Sequence, residues 1–162
     1  MEIYLMQHAQ ALPKEEDPDE GLSPEGKEQI HTSGKALKKM GIGFDAILAS
    51  TKKRSKQTAA IIAEEVDFPV EEIIETDKVK AMTPPEDTVQ ALTELSGFRK
   101  VFIAGHLPSL AEVTSVLLTE GSKATVAFER GGCCRIDVEE LSTHSGRLRW
   151  HLTPEQLRLI AS

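Results

Sequence analysis

Three short segments of the chain carry residues able to handle a phosphoryl group: Met6-Gln7-His8-Ala9, Ser50-Thr51-Lys52-Lys53-Arg54-Ser55-Lys56-Gln57-Thr58, and Gly105-His106-Leu107-Pro108-Ser109. Each follows an apolar run of the length and content of a buried strand, namely Ile3 to Met6, Ala46 to Ala49 and Val101 to Ala104. In a parallel α/β sheet, ligands bind beyond the carboxyl ends of the strands, where loops lead into helix N-termini. Imidazoles and a cationic cluster are therefore expected to converge on one edge of such a sheet. Phosphoryl transfer asks for a nucleophile and for cationic donors whose grip strengthens as charge spreads over the transferring oxygens. His8 or His106 could supply the first, and Arg54 the second. Positive charge at the start of the helix expected from Arg54 opposes the helix dipole, so a bound anion explains it better than a solvated basic face does.

The elements that must position these residues alternate. Leu22-Ser-Pro-Glu25 is a helix start, with Ser23 as N-cap and Pro24 at the first helical position, and the spacing of Ile30, Leu37 and Met40 carries the helix to Gly41. Ala46 to Ala49 reads as a strand, and Arg54 to Glu65 as a helix with Ala59, Ile62 and Ala63 on its apolar side. A weaker strand around Ile73 follows, then a helix opened by Pro84 or Pro85 and carried by Ala91, Leu92 and Leu95. Val101 to Ala104 is a buried strand and Pro108 to Leu118 a helix. The expected fold class is α/β: a three-layer sandwich with a mostly parallel central sheet and helices on both faces. Beyond it, Cys134, Ile136 and Val138 alternate with polar residues, as do Leu148, Trp150 and Leu152 after the turn Thr143 to Gly146. That pattern predicts a C-terminal antiparallel hairpin on one edge of the sheet, closed by a short helix from Pro154. Residues 1–162 read as a single domain.

Composition narrows the function. Hydrophobic residues make up 40% and charged residues 28%, the balance of a globular protein. Lys plus Arg is 19 against Asp plus Glu 26, a net charge of −7 that repels nucleic acid and anionic membranes, so neither is an expected partner. The first residues lack a basic, long apolar leader and no later apolar run could span a bilayer, which makes cytoplasmic the expected location. Cys133 and Cys134 are neighbours in an expected strand, would point to opposite faces, and have no suitably spaced Arg behind them for cysteine phosphatase chemistry. His8, His31, His106, His144 and His151 show no metal-ligand pairing at helical spacing, so no metal and no cofactor is expected. His31, His144 and His151 read as surface residues, and Glu86 and Asp87 as helix N-terminal caps rather than as an acid for a leaving group. Gly21 to Lys27 lacks the magnesium-holding hydroxyl of a P-loop, and Gly41 to Ala46 precedes a strand where a dinucleotide fingerprint needs a helix.

Leu5-Met-Gln-His-Ala9, Leu22-Ser-Pro-Glu-Gly26, Arg54-Ser-Lys-Gln-Thr58 and Gly105-His106 resemble, in order and spacing, the successive blocks of the histidine phosphatase, or phosphoglycerate mutase-like, superfamily. The short chain and Gly105-His-Leu-Pro108 resemble its SixA-type phosphohistidine phosphatases. The resemblance implies that His8 is a phosphate-accepting nucleophile, Arg54 a phosphate clamp, and His106 a second pocket histidine donating to the phosphoryl oxygens. Phosphate binding would then involve Gln7, His8, Arg54 and His106. Gln7 stands where the family has an Arg, and Ala9 where it has a Gly. A neutral amide cannot give the charged fork of a guanidinium, and losing such a donor costs about 2.7 to 4 kcal/mol. Lys52, Lys53 or Lys56 are the candidates to compensate. The implied function is a metal-free phosphatase acting through a phosphohistidine intermediate, on phosphohistidine in a protein such as a histidine phosphotransfer domain. The alternatives are a small-molecule phosphomonoesterase, or a weakly active or inactive phosphate-binding pseudophosphatase.

Overall fold

The computed structural model describes residues 1–120, 123–142 and 144–162, so Thr143 of the expected hairpin turn lies outside the described residues. In chain order the elements are β1 (Glu2–Gln7), α1 (Pro24–Lys39), β2 (Ala46–Ala49), α2 (Lys53–Glu65), β3 (Ile74–Glu75), α3 (Pro85–Glu94), β4 (Lys100–Gly105), α4 (Ser109–Leu118), β5 (Cys133–Asp137), β6 (Arg147–Leu152) and α5 (Pro154–Ala161). Single 3-10 turns at Val70–Glu72 and Asp77–Val79 flank the short β3, a detail the apolar pattern does not show.

Among the described residues the strands form one six-stranded sheet in the order β3-β2-β4-β1-β5-β6. The pairs β2·β3, β2·β4 and β1·β4 are parallel, while β1·β5 and β5·β6 are antiparallel. Successive side chains of a strand point to opposite faces, so a strand apolar at every position needs cover on both. Tyr4, Met6, Ile47 and Phe102 accordingly pack with Ile30, Ile62 and Leu157 of α1, α2 and α5. Ile3, Leu5, Leu48 and Ile103 pack on the other face with Leu92, Leu110 and Val113 of α3 and α4. This is the expected three-layer α/β sandwich. Among the described residues no helix is long and apolar enough to cross a membrane.

The N-cap of α1 is Ser23, whose side chain accepts from Gly26 N–H. The helix stops at Lys39, short of Gly41, where a φ of +73° lets Ile42 N–H turn back to the Leu37 carbonyl. Cys133 and Cys134 enter opposite cores as expected. The hairpin differs from a strict two-residue period. A register shift after Arg135 sets Trp150 opposite Arg135 but Leu148 opposite Ile136, so Leu148 lies on the other face from Trp150 and stays 45% exposed. His151 is not the surface residue expected: it stands opposite Cys134, packs edge-on against Phe128 at 5.6 Å, and buries its Nε2 without a hydrogen-bond partner among the described residues.

Gly26 fixes how closely the segment after β1 approaches α1. A Cβ there would collide with the Gln10 carbonyl oxygen, which also accepts from Ser23 N–H at 2.9 Å. Gly26→Ala is therefore expected to lower stability by about 1 to 3 kcal/mol, a fall of several degrees in Tm in a thermal melt. An unchanged Tm would show that the segment moves freely.

Candidate active site

The site grows from the register of two neighbouring strands. Gln7 at the end of β1 pairs with Gly105 at the end of β4, and His8 N–H donates to the Gly105 carbonyl at 3.2 Å. His8 and His106 therefore leave adjacent strands at the same height, with ring centroids 5.0 Å apart and planes inclined by 60°. The chain after β1 continues into α1 on one face and the chain after β4 into α4 on the other. The crevice between diverging connections of this kind is where an open α/β sheet binds ligands. The Leu107–Pro108 bond that follows His106 is cis.

On the far side of β4, Ala49 of β2 pairs with Ala104, which sets Ser50 beside His106. The buried Ser50 Oγ and His106 Nε2 share a hydrogen bond of 2.6 Å. Ser50 Oγ also accepts from Lys52 N–H, which leaves the hydroxyl proton free for Nε2. Ser55 locks this corner, since its hydroxyl donates to the Ala104 carbonyl at 2.8 Å and accepts from Ser50 N–H at 2.9 Å. With the first turn of α2 pinned in this way, Arg54 Nε donates to His8 Nε2 at 3.3 Å.

The partners of His8 fix its tautomer. Nδ1 faces the Ala9 carbonyl at 2.7 Å, and a carbonyl only accepts, so Nδ1 carries the proton and Nε2 presents its lone pair. Burial holds the His8 pKa below its ordinary value, against the Ala9 carbonyl, which raises it; the charges of Arg54 and Arg130 lower it further. His106 is pushed down to about 3 by burial, then by His8, Arg54 and Lys52. Both imidazoles are thus neutral near pH 7, as a nitrogen nucleophile must be.

Sequence reasoning named His8, Arg54 and His106, and the structure brings these three together. Gln7 is half-buried next to them, and its backbone carbonyl accepts from Gly131 N–H at 2.9 Å. Two of the lysines expected to compensate for it are committed elsewhere: Lys53 to Asp17 at 2.8 Å and Lys56 to Glu75 at 3.6 Å. Lys52 and Arg54 have no carboxylate partner among the described residues. Glu86 and Asp87 are exposed in the first turn of α3, whose N-cap is Pro84 without a side-chain cap bond. They do not cap the helix as expected. Ser50 and Ser55 lie in the segment expected to carry chemistry after β2, but the sequence assigned neither a role. Ser50 carried a usable signal, because it follows β2 directly as His8 follows β1.

An open cleft of about 570 Å3 adjoins Arg54, lined by Lys14, Pro18, Asp19, Lys52 and Lys53 among others. Its outer wall is the loop between β1 and α1, closed by the Ala11–Leu22 bridge and by Asp17, which accepts from Asp19 N–H, Gly21 N–H and Lys53 Nζ. The cysteines stand apart from this chemistry. Burial pushes the Cys134 thiol up to about 12 and Cys133 well above its ordinary range, so neither offers a thiolate.

The carboxyl edge of this sheet thus presents two neighbouring histidines and an arginine, donors suited to an oxyanion. Residues 3–80 match the model of the histidine phosphatase superfamily (branch 1), and the chain belongs to that superfamily. It is 31% identical to the serine/threonine-protein phosphatase Pgam5, mitochondrial, of Drosophila melanogaster over 161 residues, covering 86% of this chain. The chain spans 56% of that relative's length and 39% of the Drosophila erecta counterpart. In fold it is similar to the protein histidine phosphatase SixA complexed with tungstate, with a TM-score of 0.85, 19% identity, and coverage of 97% of this chain and 99% of the other. It is also similar to the mycobacterial glucosyl-3-phosphoglycerate phosphatase in complex with VO3, with a TM-score of 0.74, 12% identity, and coverage of 94% and 99%.

The depressed histidines tie stability to pH. The unfolded chain, with imidazoles at about 6.5, takes up protons before the folded one, so this contribution is whole above pH 6.5 and is lost as pH falls toward the His106 value of about 3. His106→Asn is expected to flatten the fall of urea-unfolding free energy between pH 6 and 4, by up to about 1.4 kcal/mol per pH unit. Equal slopes for the two proteins would mean that His106 is protonated in the folded state.

Proposed function

We propose that the chain is a phosphatase working through a phosphohistidine on His8, with phosphohistidine in a protein as its substrate. One observation carries this reading: His8 is neutral, its Nδ1 proton is held by the Ala9 carbonyl, and its Nε2 lone pair lies beside the Arg54 guanidinium. The oxyanions held by two proteins of the same fold, tungstate by SixA and VO3 by the mycobacterial phosphatase, support a phosphate-sized site.

In the first step Nε2 attacks phosphorus, the Nε2–P bond forms, and the bond to the leaving group breaks with its electron pair. As the ring becomes positive, the Ala9 carbonyl stabilises its Nδ1–H, while Arg54 and His106 donate to the oxygens that gain charge. Ser50, bonded to His106 Nε2, holds the second ring so that Nδ1–H is the free donor. Water then attacks phosphorus, the Nε2–P bond breaks, phosphate leaves, and Nε2 recovers its lone pair. The sequence of steps calls on no metal.

A phosphoramidate needs less acid assistance to leave than an alkoxide does. Glu86 and Asp87 are both exposed on α3, and among the described residues no carboxylate is bonded to His8, Arg54 or His106, so the site favours a phosphohistidine leaving group. The open, cation-lined cleft beside Arg54 suits a protein surface, such as a histidine phosphotransfer domain. A second reading, phosphoserine or phosphothreonine in a protein, is favoured by the 31% identity to the Pgam5 phosphatase.

Brief incubation with phosphorylated substrate followed by alkaline denaturation is expected to trap a base-stable, acid-labile phosphoryl group on the wild type and none on His8→Ala. Label on a serine or cysteine, or label persisting in His8→Ala, would remove the mechanism. Arg54→Ala is expected to lower kcat/KM about a hundredfold to a thousandfold. A phosphorylated histidine phosphotransfer domain should be hydrolysed with a higher kcat/KM than phosphoserine peptides, sugar phosphates or aryl phosphates. Preference for phosphoserine peptides moves the assignment to the second reading, and oxyanion binding without turnover marks a phosphate-binding module.

A further inference from the structure

Position 7 is neutral, and lysines 53 and 56 are tied to carboxylates, so on the β2 side Arg54 is the site's guanidinium. The sheet order places a second possibility on the opposite flank of β1. There β5 runs antiparallel to β1, pairing Cys133 with Met6, and is entered through the turn Glu129 to Gly132. Gly132 N–H closes this turn on the Glu129 carbonyl at 2.9 Å, with Gly131 at φ +77°, the left-handed third position that such turns give to glycine.

The turn is held at a fixed place. Gly131 N–H donates to the Gln7 carbonyl at 2.9 Å, and the Gly131 carbonyl accepts from the buried Ser33 hydroxyl of α1 at 2.8 Å. A Cβ on Gly132 would stand 2.8 Å from the Leu152 carbonyl oxygen, so β6 closes it from the third side. The second residue of this turn is Arg130, exposed and without an ion-pair partner among the described residues. It is attached one peptide away from the group that bonds residue 7, and residue 7 adjoins the nucleophile.

We propose that Arg130 is the second guanidinium of the phosphate pocket, reaching the phosphoryl oxygens from the β5 side of His8 while Arg54 and His106 reach them from the β4 side. This inference rests on the phosphatase reading. Its electrostatic counterpart is already present in the free protein, where the charges of Arg54 and Arg130 both lower the His8 pKa. The position that Gln7 leaves neutral is thus served from a neighbouring strand, and the two positions 7 and 130 compete for the same oxygens.

That competition supplies the test. Tungstate and orthophosphate binding by calorimetry, together with kcat/KM, are measured for wild type, Arg130→Ala, Arg130→Lys, Gln7→Arg and the double variant Gln7→Arg/Arg130→Ala. Arg130→Ala should weaken oxyanion binding at least tenfold and lower kcat/KM about a hundredfold, with Arg130→Lys between it and the wild type. Gln7→Arg should recover most of that loss in the Arg130→Ala background. In the wild-type background its gain should be several-fold at most, because two guanidiniums then repel over one set of oxygens. Wild-type binding and turnover in Arg130→Ala would overturn the inference, as would an equal gain from Gln7→Arg in both backgrounds. Arg130→Gln, which keeps the length of the side chain, should repeat the loss; if both neutral variants lose Tm as well as binding, the turn is structural and the inference falls. The phosphatase reading fails separately, through a wild type that binds no oxyanion or an Arg54→Ala variant that keeps full turnover, and it would take this inference with it.

Discussion

The parallel pairing of β1 with β4 is the constraint from which the rest of the site follows. It is in register from Glu2 opposite Lys100 to Gln7 opposite Gly105, and the last bond of the ladder comes from the backbone of His8 itself. Because side chains alternate along a strand, a slip of one residue would exchange the two cores, bringing Tyr4 and Met6 to the face built for Ile3 and Leu5. The hydrophobic requirement therefore fixes the height at which both imidazoles emerge. Their 5.0 Å separation is a by-product of burying Phe102 and Leu5 on their proper sides. Ser50 and Arg54 inherit the same datum through β2, whose end pairs with β4 one residue lower.

Electrostatics in this protein are local. A chain with 19 basic and 26 acidic side chains repels anions at long range, yet the carboxyl edge of the sheet collects cations. Some of them are structural: Lys53 pins the loop at Asp17, and Lys56 meets Glu75. The remaining positive charge acts on two buried imidazoles and keeps them unprotonated, with burial the larger influence in both. The same charges serve opposite ends. They make His8 a weaker base, which favours the lone pair at neutral pH, and on the phosphatase reading proposed above they would also attract the charge of a phosphoryl group.

The parts of this arrangement that come from contiguous residues were legible in the sequence. Ser23-Pro24 announced α1, the apolar runs announced β1, β2 and β4, and the rule that ligands sit beyond strand ends singled out His8, Arg54 and His106. What depends on pairing between distant strands was not legible. The irregularity between β5 and β6 reverses the face of Leu148 and hides His151, and no local pattern records which residue a bulge will skip. Ser55 looks like any helix-start serine until its hydroxyl is seen to join the ends of β2 and β4. Arg130 sits in a turn that announces itself only as Gly131-Gly132, and that turn reaches the end of β1 because β5 lies beside it.

The residues that meet at this edge stand far apart along the chain, at 8, 50, 54 and 106, and they come together only when β1, β2 and β4 have all found their places. No stretch of the unfolded polypeptide holds such a constellation, so an anion that the site accepts binds the native state alone. Mass action then makes the ligand a folding cofactor: an anion present at a hundred times its dissociation constant adds about 2.7 kcal/mol to the native state. On the phosphatase reading proposed above, the inorganic phosphate released by the reaction would then act as a chemical chaperone for the protein.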